Sequence, residues 1–269
     1  SIGSLIGFNI FSSGALVLAS GAQRSYLNLN GLNTLIVSSY EKLKGSKERY
    51  QGMQLNTVTG NIKLSKIDFS YNKSDFLFRN LSISINPGQL FCISGSNGDG
   101  KTTLSKILMG ILEPSAGEVL VDGTNLNKLS LKWWKKQVAY IPQNPNILNS
   151  SIMDNILLGN DKLNEQEVSR LLQTVGLDQK LKQTSLTILD PIEDNLSKGV
   201  KKKIHYARAL AQNSKIFIID DPFGYLDNQG IQIVQKIIES FKRANKTVIL
   251  FSDNNILSNV IDENIRIGN

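Results

Sequence analysis

Four continuous apolar runs recur between residues 90 and 252 and predict strands that are buried on both faces. Strands of a parallel sheet show this pattern because helices cover both sides of the sheet. Segments with apolar residues at helical spacing lie between the runs, and this alternation is typical of an α/β domain. The runs are Leu90–Ile93, Val138–Ile141, Thr247–Ser252, and Ile216–Asp221, which ends in two carboxylates.

Shorter segments complete the set of predicted elements. Two of them alternate between apolar and polar residues and a third closes with an Asp-Gly turn, which predicts strands. These strands are Ile62–Tyr71, Leu81–Ile85 and Gly117–Gly123. Apolar residues at helical spacing predict helices in Thr103–Met109, Val200–Gln212 and Ile231–Phe241.

The beginning of the chain has a different pattern, because it contains long stretches without charge. Ile2–Ala22 carries no charged residue and is long enough to cross a bilayer core of about 30 Å. Its Gly3 and Gly7 have the spacing that allows close helix approach in a membrane. A buried helix of a water-soluble domain is the alternative. A second uncharged stretch, Ser25–Tyr40, has an apolar part that is too short to span a bilayer alone.

These patterns predict two domains separated by a polar linker, Glu41–Gln54. Residues 1–57 are predicted to be a partial transmembrane segment with its linker, and residues 58–269 an α/β domain. The chain starts at Ser1 without the basic region of a secretory signal. We therefore expect an internal piece of a longer polypeptide.

Composition narrows the class of protein. Of the 269 residues, 41% are hydrophobic and 20% are charged, which suits a globular core. The net charge of +7 is compatible with a nucleic acid, an anionic membrane or a phosphate ligand. No nucleic-acid motif accompanies the four lysines between residues 198 and 203, which we expect on a solvated face. The single Cys92, expected in the core, excludes a disulfide within the chain, and the single His205 argues against a zinc or iron site.

A phosphate-binding loop joins the first apolar run to the first predicted helix. The segment Gly95–Thr103 meets the pattern G-x-x-x-x-G-K-[ST] through Gly95, Gly100, Lys101 and Thr102. Glycines let backbone N–H groups turn towards an anion, and the helix N-terminus adds its positive dipole. Lys101 is expected at the outer phosphates and the Thr102 hydroxyl at Mg²⁺. Such a loop can arise by chance, but the strand and helix around it favour a nucleoside triphosphate site.

Polar residues follow two of the other predicted strands. Asp220 is expected to reach the Mg²⁺ shell and Asp221 to orient an attacking water, whereas capping of a turn is the alternative for both. Gln143 is placed to complete the Mg²⁺ shell or to position water, although this signal is weak by itself. Tyr71, at the end of a strand, suits stacking on adenine, and an aromatic residue of the core or sheet edge is the alternative.

The segment Asn195–Val200, followed by Ala207–Leu210, resembles the signature of ATP-binding-cassette (ABC) ATPases, in which L-S-G-G-Q precedes a helix with A-R-A-L. The resemblance covers about Asn61–Gly268. It implies a P-loop NTPase fold of ABC type, with a RecA-like parallel core, an antiparallel β subdomain and a helical signature subdomain, here preceded by a short membrane-like helical segment. Asn149–Ile156 resembles the exporter pattern G-T-I-x-x-N-I. This implies a membrane protein with a permease domain in the same chain and the ATPase domain on the cytoplasmic face.

The resemblance also implies roles for individual residues. A second ABC ATPase domain, identical or different, forms a head-to-tail dimer with the first, and ATP lies between the loop of one and the signature of the other. No nucleic-acid partner is expected. The implied catalytic residues are Asp221, Gln143 and Asp253, and the Mg²⁺ ligands Thr102, Gln143 and Asp220. The implied ATP-binding residues are Tyr71, Gly95, Ser96, Asn97, Gly98, Asp99, Gly100, Lys101, Thr102, Thr103, Ser197 and Gly199.

Four positions depart from the family pattern. Lys198 and Val200 replace Gly and Gln of the signature, which leaves both implied phosphate contacts intact. Asp221 replaces the catalytic Glu and is shorter by about 1.5 Å. Asp253 replaces the switch His and brings an anion towards the γ-phosphate. We therefore interpret the chain as an exporter motor with slow hydrolysis. A catalytically degenerate half or regulatory gate of a heterodimeric transporter, and a soluble ABC ATPase, are the alternatives.

Overall fold

The computed structural model describes residues 51–72, 75–158, 163–178 and 196–268, and most of these residues belong to the predicted α/β domain. The predicted transmembrane segment and most of the linker lie outside these ranges. The division into residues 1–57 and 58–269 therefore stays a prediction. None of the described helices is both long and apolar enough to cross a bilayer.

The described elements follow one another in an α/β order. The strands are β1 (Ile62–Ser70), β2 (Phe76–Ile85), β3 (Leu90–Ser94), β4 (Ala116–Val121), β5 (Thr124–Asn125), β6 (Val138–Ile141), β7 (Ile216–Asp220), β8 (Thr247–Phe251) and β9 (Glu263–Arg266). The helices are α1 (Lys101–Leu108), α2 (Leu131–Gln137), α3 (Ile152–Leu157), α4 (Glu165–Thr174), α5 (Lys198–Gln212) and α6 (Asn228–Arg243). Short 3₁₀ turns cover Leu126–Lys128 and Asn255–Leu257.

The strands form two sheets. An antiparallel sheet has the order β2-β1-β4-β5, and a parallel sheet has the order β6-β7-β8-β3-β9. In the parallel sheet Cys92 pairs with Leu250, and Phe217 pairs with Val248. Strand β8 therefore lies between β3 and β7, and the segments that follow these three strands leave the sheet at the same edge.

The central strands are buried on both faces, as their apolar runs predict. All residues of β7 and β8 are buried. Phe217 and Ile219 face a core that also contains residues of α3, α4, α5 and α6. Ile216 and Ile218 face a second core, which contains residues of α1, α2 and the antiparallel sheet. The parallel sheet is thus the middle of three layers, and Cys92 lies in the first core as expected.

Side-chain caps fix where several helices begin. The Ser151 hydroxyl accepts a hydrogen bond from the Asp154 N–H at 3.0 Å at the start of α3. At the start of α6, the Asp227 carboxylate accepts one from the Gly230 N–H at 2.7 Å. Such caps satisfy N–H groups that have no partner within the helix. In contrast, α1 follows Gly100 and has no side-chain cap.

Several features of the fold differ from the sequence predictions. Strand β2 begins at Phe76 instead of Leu81, and β9 was not predicted because Ile265 is its only apolar residue. Helices α2, α3 and α4 were also missed. The expectation of a solvated lysine face is wrong for Lys202 and Lys203, which are 0% and 6% exposed.

Candidate functional site

The phosphate-binding loop, Asp253 and the carboxylates at the end of β7 meet at one edge of the parallel sheet. The loop follows β3, and Asp253 comes two residues after β8. Together they enclose a cleft of about 560 Å³. The predicted site residues that line this cleft are Ser96, Asn97, Gly98, Gly100, Lys101, Thr102, Thr103, Gln143, Asp220, Asp221 and Asp253.

The turn of the loop into α1 requires glycine. Gly98 and Gly100 have φ angles of 102° and 93°, which L residues rarely adopt. A Cβ at Gly100 would also overlap the side chains of Leu77 and Phe78 on β2. Because no side chain caps α1, the N–H groups of its first turn are available to an anion.

The Asp253 carboxylate accepts hydrogen bonds from two donors of the loop. The Gly95 N–H reaches its Oδ1 at 2.7 Å, and Lys101 Nζ lies 2.8 Å from its Oδ2. Burial alone would raise the pKa of Asp253, but the hydrogen bonds from Lys101 and Gly95 lower the pKa overall. An ionised carboxylate of the chain itself therefore stands at the beginning of the phosphate loop.

A second carboxylate engages the next amide of the loop. The Ser96 N–H donates to Asp99 Oδ2 at 2.6 Å. The side chain of Ser96 is in turn 3.4 Å from the Arg266 guanidinium on β9. The first two N–H groups of the loop thus bind carboxylates, whereas the donors at the start of α1 are left for a ligand.

Asp220 has the surroundings of a cation ligand. Its side chain is almost fully buried, and its Oδ2 has no hydrogen-bond partner among the described residues. Burial raises the pKa of Asp220, while a hydrogen bond from the Thr102 hydroxyl and the charge of Lys202 oppose the rise. Carboxylate and hydroxyl oxygens suit Mg²⁺, and a buried oxygen without a partner calls for one. Thr102 and Asp220 therefore fit the predicted metal site.

Lys202 supports the end of β7 from the side of α5, a role that the sequence prediction missed. Its ammonium donates to the carbonyl oxygens of Asp220 at 3.0 Å and Pro142 at 2.9 Å. Burial lowers the pKa of Lys202 to about 8, and the charges of Asp221 and Asp220 oppose this shift. Helical spacing could have indicated the burial of Lys202, because Lys202 lies four residues before the buried Tyr206 on α5.

Gln143 and Asp221 line the cleft without contacts that would establish their predicted catalytic roles. Asp221 has a φ of 50°, an uncommon conformation for a residue other than glycine. Its carboxylate packs so closely on Gly224 that a Cβ there would overlap it. The absence of a side chain at Gly224 therefore leaves room for the Asp221 carboxylate. The catalytic roles of Gln143 and Asp221 stay predictions.

Tyr71 lies beside the phosphate loop. Its hydroxyl is 2.9 Å from the Thr103 Oγ1, and its ring meets the Phe69 ring edge-on at 5.0 Å between centroids. The residue is 64% exposed, so a large part of the ring is open to a ligand. This position is compatible with the predicted stacking on adenine.

The two signature residues that were predicted to contact ATP are not among the described residues that line the cleft. Ser197 caps α5 by accepting a hydrogen bond from the Val200 N–H at 3.3 Å. Gly199 packs on the Tyr225 carbonyl, where a Cβ would lie 2.6 Å from the oxygen. The Lys198 ammonium lies 4.6 Å from the Tyr225 ring centroid. The chain thus separates the signature from its own phosphate loop.

A comparison with protein families gives one match over the central part of the chain. The family described as ABC transporter matches residues 78–224, more than half of the 269 residues. The matched range holds the phosphate loop, both carboxylates at the end of β7 and the signature. The chain belongs to the ABC transporter family. The resemblance inferred from the sequence is confirmed.

Curated relatives of this ABC protein are longer than the chain. ABC transporter B family member 13 of Arabidopsis thaliana is 29% identical over 211 residues, which cover 77% of this chain and 17% of the plant protein. The alpha-hemolysin translocation ATP-binding protein HlyB of Escherichia coli O6:H1 is 29% identical over 255 residues, 93% of this chain and 36% of HlyB. The chain therefore spans about a third or less of the length of these relatives.

Solved structures show the same fold. A bacterial Atm1-family ABC exporter with ATP bound superposes with a TM-score of 0.75 at 19% identity. The superposition covers 87% of this chain and 42% of the exporter chain. The predicted P-loop fold of ABC type, with one antiparallel and one parallel sheet, is confirmed.

A second residue of α5 in this ABC domain was not predicted to have a structural role. The His205 Nε2 lies 2.8 Å from the Asn146 carbonyl, and its buried Nδ1 has no partner among the described residues. Burial, together with the charges of Arg208 and Lys202, lowers the pKa of His205 to about 4, although the hydrogen bond with the Asn146 carbonyl opposes this shift. The neutral form of the ring is therefore favoured where it packs against the segment that follows Gln143.

Proposed function

We propose that the chain is the ATP-binding and ATP-hydrolysing motor of an ABC exporter. One arrangement carries this proposal, a phosphate loop that leads into an uncapped helix opposite a buried Asp220 oxygen without a described partner. The helix start offers N–H donors to phosphates, and Asp220 offers an anion to the cation that accompanies them. Paired anion and cation subsites in one cleft fit a nucleotide bound with Mg²⁺.

Several residues in and beside the cleft have proposed roles. The first-turn N–H groups of α1 bind phosphates, and the Tyr71 ring stacks on the adenine. Thr102, Asp220 and Gln143 would hold Mg²⁺, which when bound neutralises charge on the phosphates. Asp221 orients the attacking water from about 1.5 Å further back than a Glu would. Because a misplacement of about 1 Å lowers a rate roughly 100-fold, hydrolysis is slow.

A second ABC ATPase domain, identical or different, is proposed to complete the site. Ser197 is exposed at the start of α5, and Tyr225 next to Gly199 is 47% exposed. These residues lie outside the described lining of the cleft in their own chain. This separation supports a head-to-tail dimer in which each signature faces the phosphate loop of the other domain.

A permease domain in the same polypeptide is the proposed source of the membrane attachment. The match to HlyB covers 93% of this chain, more than residues 58–269 alone can supply, so it extends into the uncharged N-terminal stretches. This extent supports a permease segment before the ATPase domain, which would then lie on the cytoplasmic face of the membrane. Such a motor couples closure of the ATPase dimer to transport.

A catalytically degenerate half or regulatory gate of a heterodimeric transporter is the second candidate. The contact between Asp253 and Lys101 favours it, because the position of the switch His holds a carboxylate that already occupies the loop lysine. Turnover measurements on the chain and on a variant with both Asp221→Glu and Asp253→His decide between the two candidates. Steady-state turnover by the unmodified chain that is slow but measurable, and that rises roughly 100-fold in the variant, supports the exporter motor. No measurable turnover by the unmodified chain under conditions where it binds ATP supports the degenerate half.

The nucleotide site itself is tested by Lys101→Ala. Titration calorimetry should show loss of tight ATP binding, because the remaining backbone donors face an uncompensated triphosphate. Lys106→Ala, on the same helix but absent from the lining of the cleft, should bind as the unmodified chain does. Equal ATP affinities of Lys101→Ala and the unmodified chain would refute the loop assignment.

Membrane fractionation of the full-length gene product tests the proposed permease domain, and recovery only in the soluble fraction would refute it.

A further inference from the structure

Asp253 occupies donors that an outer phosphate needs, and we propose that it makes the cleft selective for nucleoside diphosphates over triphosphates. The inference rests on the proposed function, because it concerns the nucleotide state that the same loop holds. Loop N–H groups generally cradle the α- and β-phosphates, whereas the loop lysine reaches the β- and γ-phosphates. In this chain the Asp253 carboxylate forms an ion pair with this lysine, with 2.8 Å between Lys101 Nζ and Asp253 Oδ2.

The donors for the inner phosphates are left open. The first-turn N–H groups of α1 begin after Gly100 without a side-chain cap. The N–H groups of Gly95 and Ser96, at the opposite end of the loop, donate hydrogen bonds to the carboxylates of Asp253 and Asp99, respectively. A diphosphate can therefore bind at the helix start while Asp253 keeps its contacts. The loop is divided into an open anion subsite and one that is already filled.

The position of Asp253 is fixed by the sheet. Strand β8 pairs with β3, and the Ser252 N–H donates to the Ile93 carbonyl at 3.1 Å. The Asn254 N–H donates to the Ser252 hydroxyl at 3.1 Å, which holds the backbone on the other side of Asp253. The carboxylate thus stays beside the loop lysine in the absence of a ligand.

A terminal phosphate would meet this carboxylate in one of two ways. The phosphate can displace the carboxylate, which breaks the hydrogen bonds of Asp253 with the Gly95 N–H and with Lys101. Alternatively, the phosphate can remain close to the carboxylate, and the two like charges then repel each other. Both reduce the affinity for a triphosphate more than that for a diphosphate, because the β-phosphate still binds the N–H groups of the loop, whereas the γ-phosphate depends on the lysine. Asp99 adds a further negative charge in the same loop, held by the Ser96 N–H.

The test compares ADP with the non-hydrolysable triphosphate adenylyl imidodiphosphate on the whole chain, both with Mg²⁺, by titration calorimetry. We expect ADP to bind at least about tenfold more tightly than the triphosphate, because repulsion by a nearby like charge in a cleft lowers the affinity by more than a factor of about ten. Asp253→Asn should strengthen binding of the triphosphate by at least about tenfold and change ADP affinity less than about threefold. Asp253→His, which replaces the anion by a group that can donate, should act in the same direction. Glu165→Gln, the same charge change on the exposed start of α4, should leave the ratio of affinities unchanged.

The outcomes separate this inference from the proposed function. Tighter binding of the triphosphate than of ADP by the unmodified chain would overturn the diphosphate preference and leave the ATPase domain in place. An unchanged ratio in a folded Asp253→Asn variant would also overturn it. Failure of the unmodified chain to bind either nucleotide would overturn the proposed function and this inference together. The ratio measured on the unmodified chain needs no variant, so misfolding of a variant does not remove the test.

Discussion

The Lys202 ammonium on α5 lies 3.0 Å from the Asp220 carbonyl oxygen at the end of β7. The same ammonium donates to the Pro142 carbonyl, directly before Gln143. One buried cation therefore ties the signature helix to the strand that carries the proposed Mg²⁺ carboxylate and to the segment that carries the proposed glutamine. A rotation of α5 must move these groups together or break the hydrogen bonds.

The burial of Lys202 predicts a pH dependence of stability. Its pKa is about 8 in the folded chain, below the ordinary value of 10.5. Between these values the unfolded chain binds more protons than the folded chain, so this group favours folding increasingly as the pH rises. We expect the free energy of unfolding of the unmodified chain, relative to Lys202→Gln, to rise by about 1 kcal/mol from pH 7 to pH 9. Denaturant titrations at several pH values measure it.

The neighbouring Lys201 provides the control, because its side chain is only partly buried. Lys201→Gln should show no comparable rise relative to the unmodified chain over the same pH interval. The same pH slope for both variants would contradict a special environment for Lys202.

His205 predicts an acid-sensitive step. Its pKa of about 4 in the folded chain lies below the ordinary value of 6.5, so the neutral ring is favoured by folding. The contribution is complete above pH 6.5 and is lost as the pH falls towards 4. The free energy of unfolding, relative to His205→Gln, should fall by about 2 kcal/mol from pH 7 to pH 5. Because the sequence has one histidine, parallel pH profiles of the two proteins would disprove the effect.

The sequence revealed the elements whose pattern is set by burial alone. The run that became β7 is apolar throughout because both faces of the strand contact a core, and its two carboxylates come where the strand leaves the core. The phosphate loop was equally clear, since Gly95, Gly100, Lys101 and Thr102 are each demanded by a backbone or charge requirement of the site. These features need no information about other parts of the chain.

Other features depend on contacts between segments that are distant in the sequence, and the local sequence pattern indicates them weakly or not at all. The buried state of Lys202 depends on backbone carbonyls 18 and 60 residues away in sequence. The hydrogen bond from Gly95 to Asp253 joins residues 158 positions apart, so only the fold brings them together. Strand β9 has one apolar residue, and its position follows from pairing with β3 rather than from its own pattern.

The loop glycines allow a matched test of packing. Gly98 and Gly100 have similar positive φ angles, but a Cβ at Gly98 would have no described atom within 4 Å, whereas one at Gly100 would overlap Phe78. Alanine at either position should cost about 1–2 kcal/mol for the left-handed backbone. Gly100→Ala should cost about 1–3 kcal/mol more from overpacking. Thermal and denaturant unfolding measure both, and equal losses would contradict close packing of the loop on β2.

The buried Asp220 oxygen predicts a metal-dependent part of nucleotide affinity. Asp220→Asn keeps an acceptor for the Thr102 hydroxyl but removes the anion, so the variant should no longer hold Mg²⁺ with the nucleotide. Calorimetry with ADP should show that Mg²⁺ strengthens binding to the unmodified chain, while the variant binds equally with Mg²⁺ and with EDTA. Asp75→Asn, an exposed carboxylate outside the cleft, should keep the full effect of Mg²⁺. If Asp220→Asn retained that effect, the cation site would have to be built from other residues.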